Sequence, residues 1–162
     1  AGLQCVGVGK IGDIFCGRGF TESIHTVSNG DGMEKTCDLA RRDINGLIFV
    51  NLVDFDSKYG HRNDADGYAK ALSSFDSDLK KLDLLLGEGD AAIVTADHGC
   101  DPSDASTDHT REYVPIVAFG RRLKSGVNLG VRGSFCDIGA TVAQLLGLGL
   151  KTGKSFAEEI VL

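Results

Sequence analysis

Two histidines and a carboxylate stand close together in the segment 91–110, AAIVTADHGCDPSDASTDHT. An apolar run over residues 91–96 is followed at once by Asp97 and His98, and His109 comes eleven residues later. A short apolar run that ends at a turn residue predicts a buried strand, and open α/β sheets bind ligands at the carboxyl ends of their strands. Carboxylate and imidazole groups together indicate a metal site. A single Asp-His pair would be better explained as a solvated polar loop beside one structural histidine.

The same arrangement occurs upstream, in the segment 46–61, GLIFVNLVDFDSKYGH. Residues 47–53 predict a second buried strand, which is followed by Asp56 and then by His61. If the two strands are parallel neighbours, these side chains and those of the downstream loop converge on one crevice. A mixed Asp/His set suits Mn²⁺, Zn²⁺ or Fe, and five groups are enough for two ions about 3.5–4 Å apart. The candidate metal ligands are Asp56, His61, Asp97, His98 and His109.

The rest of the sequence predicts the strands and helices that would carry these residues. Helix Asp64–Leu86 lies between the two strands, and its apolar side chains recur every three or four residues, so we expect one core-facing stripe. A strand-helix-strand unit of this length predicts that strand 91–96 lies parallel to strand 47–53. The remaining predictions are strands at 3–8 and 114–119, helices at 10–15, 31–44, 135–146 and 155–161, with Asp31 as a cap, and a loop at 16–29. Alternating strands and helices predict an α/β fold, a three-layer α/β/α domain with a mainly parallel sheet.

Composition narrows the classes of function. The 162 residues are enough for about one domain with a buried core. The net charge of −6 argues against a nonspecific grip on nucleic acid or anionic membranes, and it would repel a phosphorylated substrate unless local cations reverse the field. No apolar run reaches eighteen residues and no signal-peptide pattern is present, so we expect a cytoplasmic protein with no membrane partner. The five cysteines include no C-x-x-C pair, which favours reduced thiols over a disulfide framework.

Four further residues have plain interpretations. Cys100 stands beside the candidate site, where we interpret it as a small half-buried filler rather than a nucleophile. His25 lies in a loop away from the other histidines, and we expect an exposed side chain. Thr95 lies inside a predicted strand, and we expect it to pack in the core. The one methionine is Met33, and the chain begins with alanine and enters an apolar stretch at once, so we expect a fragment of a longer protein.

Several motifs resemble phosphopentomutase, a family of the alkaline phosphatase superfamily. The most specific are D-F-D-x-x-Y-G-H-R at 54–62, T-A-D-H-G-C-D-P at 95–102 and T-D-H-T-R-E-Y-V-P at 107–115. The D-H-G element alone marks only the superfamily, whereas the C-D-P after it and the last motif are much narrower. Ser106, where glycine is expected in this family, is a small departure in the loop before His109. The resemblance extends over essentially the whole chain through further matches at 9–15, 21–23, 31–33 and 133–147.

The resemblance implies an alkaline-phosphatase-like core and a phosphomutase with two divalent metal ions, usually Mn²⁺. Its substrates would be ribose 1-phosphate and ribose 5-phosphate, or the 2-deoxy pair, with a sugar bisphosphate as activator. One ion would be held by Asp56, His61 and His109. The other would be held by Asp97 and His98 with an aspartate from an earlier segment. The phosphate-carrying threonine and the cap domain also belong to earlier segments. Residues 1–162 would therefore be the later part of the core domain, with no catalytic nucleophile of their own.

Two alternatives stay open. The metal-dependent, cofactor-independent phosphoglycerate mutase shares the superfamily's Asp and His ligands, although the C-D-P at 100–102 and the R-E at 111–112 fit the pentomutase pattern better. A non-catalytic metal-binding fragment or scaffold is the other alternative, and the missing nucleophile favours it for this chain alone. Assays of a full-length parent on ribose 1-phosphate and on 3-phosphoglycerate would separate the two enzymes. The upstream coding sequence would separate enzyme from scaffold.

Overall fold

Strands and helices alternate along the chain in the computed structural model, which describes residues 2–162. The strands are β1 Gln4–Val8, β2 Glu22–Ile24, β3 Gly46–Val50, β4 Ala92–Thr95 and β5 Ile116–Phe119. The α-helices are α1 Ile11–Ile14, α2 Asn29–Ala40, α3 Ala65–Leu85, α4 Cys136–Leu145 and α5 Ala157–Ile160. Between β3 and α3 the chain forms a π-helix, Phe55–Tyr59, and a 3₁₀ helix, Gly60–Arg62. This alternation confirms the predicted α/β class.

A parallel sheet organises the first of two structural units, which contains the described part of Ala1–Leu85 together with Thr95–Ile116. Its three strands are all parallel and lie in the order β2-β1-β3. Val6 and Val8 on the central strand are fully buried, and Leu39 of α2 packs against them. The predicted parallel sheet is therefore present, and its core lies where β1 meets α2.

The strand β2 lies where the sequence predicts a loop over residues 16–29. Glu22–Ile24 has only three residues, so no hydrophobic alternation is available to reveal it. The Thr21 hydroxyl anchors this segment, because it donates to the Cys5 carbonyl and accepts from the Cys5 amide, each at 3.0 Å. Pairing with β1 therefore decides the conformation of β2, and its local sequence does not.

The helix α2 begins at Asn29 because Ser28, and not Asp31, is its N-cap residue. The Ser28 hydroxyl accepts a hydrogen bond from the Asp31 amide at 3.1 Å. The Asp31 carboxylate accepts in turn from the Val27 amide at 2.9 Å, so the two side chains satisfy two amides at the start of the helix. Asp31, predicted as the cap residue, thus lies in the first turn of the helix and supports the cap through its carboxylate.

The helix α3 nearly matches its predicted span, but its apolar stripe is only half-buried. None of its residues is fully buried, and Leu72 is exposed, contrary to the predicted core-facing stripe. Tyr68 and Phe75 contact Phe55 of the π-helix, with ring centroids 5.5 and 6.0 Å apart. The aromatic members of the stripe therefore support the π-helix, which carries part of the candidate site.

The strand β4 pairs with β5, contrary to the predicted pairing with the strand at 47–53. Among residues 2–162, the hydrogen-bonded strands form the three-stranded sheet and a separate two-stranded sheet of β4 and β5. A crossover helix constrains the handedness of a connection, but consecutive strands are neighbours in only about two-thirds of cases. The sequence therefore predicts the strand itself better than it predicts its partner.

The second unit contains Leu86–Val94 and Val117–Leu162. Its buried residues lie in α4, in α5 and just before α5. Phe156 and Thr141 are fully buried. The Thr141 hydroxyl donates to the Asp137 carbonyl at 2.7 Å and accepts from the Phe156 amide at 3.0 Å, which ties α4 to the segment before α5. No helix in the described residues is long and apolar enough to cross a membrane.

Candidate metal centre

Asp56 and His61 lie on two consecutive helical turns, a π turn and a 3₁₀ turn, rather than directly at the end of a strand. β3 ends at Val50, Asp56 belongs to the π-helix, and His61 belongs to the 3₁₀ helix that follows. A π turn is a rare conformation that occurs frequently at functional sites. Asn63 then adopts a left-handed conformation with φ of 51°, and α3 starts two residues later. These turns place His61 Nε2 3.3 Å from Asp56 Oδ2.

His109 reaches the same place through the loop between Gly99 and Thr110, whose two ends are joined. These two residues form an antiparallel bridge, and the Thr110 amide donates to the Gly99 carbonyl at 3.2 Å. As a result, His109 Nε2 lies 3.3 Å from Asp56 Oδ1. The two histidines therefore approach different oxygens of one carboxylate, from two segments that are far apart in the sequence.

Ser106 fits this loop without backbone strain. Its amide donates to Asp104 Oδ1 at 2.8 Å, and its hydroxyl accepts from the Asp108 amide at 3.0 Å. Among the described non-glycine residues, only Cys16 and Asn63 have positive φ. A serine in place of the expected glycine is therefore compatible with the turn before His109.

Three of the five predicted ligands form one compact cluster, which consists of Asp56, His61 and His109. One possible ligand atom from each of them lies within 4.8 Å of the other two. Two ligands about 2.1 Å from the same four-coordinate ion stand about 3.4 Å apart. The Nε2 atom of each histidine lies 3.3 Å from one oxygen of Asp56. The spacing and the oxygen and nitrogen donors therefore fit one divalent ion of the first transition row.

The hydrogen bond on the far side of the His61 ring determines which nitrogen faces the cluster. His61 Nδ1 lies 2.5 Å from the Thr107 carbonyl oxygen. A carbonyl oxygen only accepts, so Nδ1 carries the hydrogen and donates it. In the neutral ring the Nε2 lone pair is then free, and Nε2 faces Asp56. Two acceptors at this distance repel unless a proton or a metal ion lies between them, and such an outer hydrogen bond commonly orients a metal-binding histidine.

Asp56 Oδ1 is a buried oxygen without a hydrogen-bond partner. His109 Nε2 is near enough for an ion pair, at 3.3 Å, but its geometry does not make a hydrogen bond. A buried acceptor left in this state costs about 1–3 kcal/mol. A cation within the cluster would remove that cost, so the burial of this oxygen supports a metal site.

His98 lies against the cluster, and Asp97 lies at its solvent edge. The rings of His98 and His109 are stacked, with centroids 3.8 Å apart and planes 23° apart. His98 Nδ1 donates to the Gly99 carbonyl at 3.0 Å, which leaves Nε2 3.6 Å from Asp97 Oδ1. The Asp97 side chain is 79% exposed. These two predicted ligands thus form a pair beside the cluster, outside the group of three.

Cys100 packs beneath the cluster as a neutral side chain. Burial raises the pKa of its thiol, and the negative charges of Asp56, Asp101 and Glu112 raise it further. The thiol therefore stays protonated at neutral pH, which argues against a thiolate nucleophile. Its sulfur lies against Gly60, where the Cβ of any other residue would overlap it. Its position agrees with the predicted role of a half-buried filler.

A reciprocal pair of hydrogen bonds, which we call the Asn29–Asp54 latch, joins α2 to the start of the π-helix. The Asn29 amide donates to Asp54 Oδ2, and the Asp54 amide donates to Asn29 Oδ1, each at 2.9 Å. Lys58 adds an ion pair to Asp54 Oδ2 at 3.1 Å. The latch fixes the backbone two residues before Asp56. It therefore helps to place the carboxylate on which both histidines converge.

Some structural partners give no signal in the sequence. The Thr107 carbonyl acts through its backbone, so its residue type carries no information about the contact with His61. The latch joins residues 25 positions apart that belong to no shared motif. Thr95, predicted to pack in the core, is exposed because it is the last residue of a strand that leads into the loop. His25 is exposed, as predicted.

Comparison with known proteins confirms the resemblance. The profile of the Metalloenzyme superfamily matches residues 17–150. The phosphopentomutase of Clostridioides difficile (strain 630) is 52% identical over 161 residues, which are 99% of this chain and 41% of that protein. Those of Carboxydothermus hydrogenoformans and Caldanaerobacter subterraneus subsp. tengcongensis are 53% and 50% identical over 98% and 100% of this chain. The chain spans about two-fifths of the length of these curated relatives. Since the matched range covers most of the chain and contains the whole cluster, the chain belongs to the Metalloenzyme superfamily.

Proposed function

We propose that this chain is part of a phosphopentomutase, which interconverts ribose 1-phosphate and ribose 5-phosphate and the corresponding 2-deoxyribose phosphates. About 50% identity to proteins of that name over nearly the whole chain supports the proposal. The observation that carries it is the cluster of Asp56, His61 and His109, in which a buried carboxylate oxygen has no hydrogen-bond partner. Within this proposal, residues 1–162 form the later part of the metal-binding core domain. The phosphate-carrying threonine and the cap domain lie on segments outside this sequence.

We propose two ligand sets, which the resemblance implies and the geometry of the cluster supports. Asp56, His61 and His109 hold one divalent ion, while Asp97 and His98 contribute to a second ion that needs a further ligand from outside this sequence. We propose Mn²⁺ for both, because the resemblance to phosphopentomutase implies it, and the carboxylate and imidazole donors are compatible with this ion as they are with Zn²⁺ or Fe. When bound, the two ions supply positive charge that stabilises the charge on the transferring phosphoryl oxygens.

The residues of this chain prepare that site through hydrogen bonds and stacking. The Thr107 carbonyl holds the His61 ring so that Nε2 faces Asp56. The stacked rings of His98 and His109 keep the two ligand sets next to each other. Because the histidines bind metal only as neutral imidazoles, we expect metal affinity to fall in acid.

The proposed reaction exchanges phosphoryl groups between the sugar and a threonine outside this sequence. The phosphothreonine donates its phosphoryl group to a hydroxyl of the pentose phosphate. The bond from phosphorus to the threonine oxygen breaks while the bond to the sugar oxygen forms, and the proton lost by the sugar hydroxyl is balanced by one gained by the threonine oxygen. The resulting bisphosphate returns its other phosphoryl group to the threonine. A sugar bisphosphate activates the enzyme by this same return step, because it phosphorylates the threonine.

We further propose that the enzyme works in the cytoplasm on small sugar phosphates. The described cysteines are all free thiols, which suits a reducing compartment. The net charge of −6 opposes binding to polyanions such as nucleic acid or an anionic membrane. A small phosphorylated sugar would be attracted only near the bound metal ions.

The test compares two substrates on a full-length parent that contains this sequence. We expect Mn²⁺-dependent conversion of ribose 1-phosphate to ribose 5-phosphate and no conversion of 3-phosphoglycerate. Replacing His109 by alanine should lower the turnover rate by more than the roughly 10–100-fold that loss of an outer-shell partner costs. His25→Ala is the matched control, because His25 is exposed and outside the cluster. Turnover of 3-phosphoglycerate but not of ribose 1-phosphate would overturn the proposal in favour of the rival mutase.

A further inference from the structure

The Thr110 hydroxyl occupies the centre of a small hydrogen-bond network at the base of the loop that carries His109. It accepts a hydrogen bond from the Asp101 amide at 2.8 Å. It also donates a short hydrogen bond to Glu112 Oε2. The side chain thus connects one end of the loop to the other and to the segment that leaves it. We call Thr110, Glu112 and the Asp101 amide the loop clip.

Close packing of Gly99 reinforces the loop clip. Gly99 is buried, and a Cβ placed on it would lie 2.6 Å from Glu112 Oε2 and 2.7 Å from the Thr110 carbonyl oxygen. Only a residue without a side chain lets the two ends of the loop approach so closely. The glycine that follows His98 is therefore required by the same network that holds the Thr110 hydroxyl.

The register of the bridge explains why the clip controls the two histidines. With Gly99 opposite Thr110, position 98 lies opposite position 111, and His109 becomes the diagonal neighbour of His98 on the same face. Diagonal neighbours lie within reach of ring side chains, and these two rings are stacked at 3.8 Å. The hydrogen-bond partners of the Thr110 hydroxyl are the Asp101 amide and Glu112, and neither histidine ring is among them. The clip can therefore fix the rings without touching them.

We infer that Thr110 is a positioning residue for the metal centre: its hydroxyl fixes the register of the loop ends and so preforms the approach of His98 and His109. The inference rests on the proposed function, since it deepens the account of the same site. Removing the hydroxyl would leave the Asp101 amide without its acceptor and Glu112 without its donor. The loop ends would then sample several registers, and each ion would have to bind histidines that are no longer in place.

The experiment replaces Thr110 by valine, which keeps the shape of the side chain but removes the hydroxyl. Thr110→Ser restores a hydroxyl, and Thr152→Val makes the same change at an exposed threonine of the other unit. If the valine variant folds poorly, Glu112→Ala removes the hydrogen bond between Thr110 and Glu112 in a second way. Two quantities are measured on each protein: the Mn²⁺ dissociation constant, and the nuclear Overhauser effect between ring protons of His98 and His109 without metal. Thermal unfolding in EDTA is recorded beside them.

The expected result is a Mn²⁺ dissociation constant about 10-fold higher in Thr110→Val, because loss of an outer-shell partner typically costs 10–100-fold in metal affinity. The nuclear Overhauser effect between the rings of His98 and His109 should disappear in the same variant. Thr110→Ser and Thr152→Val should stay within about twofold of the unmodified chain. A loss of affinity with the ring contact intact would mean a general effect on stability and would overturn the inference, as would unchanged values for both quantities.

The two measurements also separate this inference from the proposed function. If the unmodified chain binds no Mn²⁺, the proposed metal centre is wrong. The contact between the His98 and His109 rings still tests the role of the loop clip, because it is measured in the metal-free protein. We expect that contact to be lost in Thr110→Val and in Glu112→Ala. If the chain binds Mn²⁺ and both variants keep the ring contact, the metal centre stands and Thr110 has no positioning role.

Discussion

Asp56 is the residue on which both histidines converge, because each of its carboxylate oxygens lies 3.3 Å from a different imidazole nitrogen. One of these oxygens is buried without a hydrogen-bond partner. The loss of either histidine removes one contact, whereas the loss of Asp56 removes both. At the scale of single residues, the cluster is therefore prepared for one cation shared by three side chains.

His61→Ala should remove the tighter of two phases when Mn²⁺ is titrated into the 162-residue chain. The ion held by Asp56, His61 and His109 has all three of its proposed protein ligands in this chain, so it should bind more tightly than the second. Isothermal titration or electron paramagnetic resonance of free Mn²⁺ would measure both phases. His25→Ala should leave the titration unchanged. An unchanged titration in His61→Ala would show that the ligand assignment is wrong.

Asp31→Asn should destabilise the chain at neutral pH and have less effect in acid. The Lys35 ammonium and the Val27 amide hold the pKa of Asp31 below its ordinary value, so the carboxylate favours the folded state. This stabilisation is fully present above the pKa of an unfolded aspartate, about 3.9, and is lost as the pH falls through the lower pKa of the folded protein. Urea unfolding in EDTA at several pH values would measure it. A difference between the two proteins that does not shrink in acid would contradict the prediction.

At the scale of elements, the sequence predicts those strands and helices whose conformation is determined by their own hydrophobic pattern. The strands β1, β3, β4 and β5 and all five helices appear within a few residues of their predicted positions. The short strand β2, the π-helix and the partner of β4 do not follow from local periodicity, because pairing and packing with distant segments decide them. The spacing of the sequence groups the five candidate ligands, and the resemblance divides them into a set of three and a pair. In the structure the same three lie together, and the pair lies beside them.

The Asn29–Asp54 latch should contribute to both stability and metal binding. Asn29→Ala would leave the Asp54 amide without its acceptor, which should cost about 1–3 kcal/mol in the free energy of unfolding. It should also weaken Mn²⁺ binding, since the latch fixes the backbone two residues before Asp56. Chemical unfolding in EDTA and a metal titration would measure the two effects. Asn45→Ala, at an exposed asparagine before β3, is the control. A metal affinity equal to that of the control would rule out a role of the latch at the site.

At the scale of the whole molecule, the cluster lies within one structural unit. Asp56, His61, His98 and His109 all belong to the unit that contains the parallel sheet. The candidate metal ligands thus come from the segments 54–62 and 97–110, which both belong to this unit. We therefore expect this chain to bind metal without catalysing phosphoryl transfer. Phosphoryl transfer requires groups that the proposed function assigns to segments outside this sequence.

The 162-residue chain alone should show no measurable phosphopentomutase activity. The proposed reaction needs a threonine nucleophile between two ions, and the resemblance gives no phosphate-carrying role to Thr95, Thr107 or Thr110. Groups that act as a unit do not leave a proportionate share of activity when some are missing. The purified chain would be incubated with Mn²⁺, ribose 1-phosphate and a sugar bisphosphate, and ribose 5-phosphate would be measured. Turnover that survives removal of contaminating host enzymes would show that the catalytic set lies within these residues.

The π-helix makes the spacing of residues before His61 as important as their identity. A π turn holds one residue more than an α turn, so deletion of one residue from Phe55–Tyr59 would let the segment relax to an α turn. The path from Asp56 to His61 would be one residue shorter, and the 3.3 Å approach of His61 Nε2 to the carboxylate would be lost. The turns at 103–106 lie on the surface, before the Thr107 carbonyl that holds His61, and can absorb an inserted residue at much lower cost. We therefore expect natural relatives to vary in length between the two histidine segments, and not between Asp56 and His61.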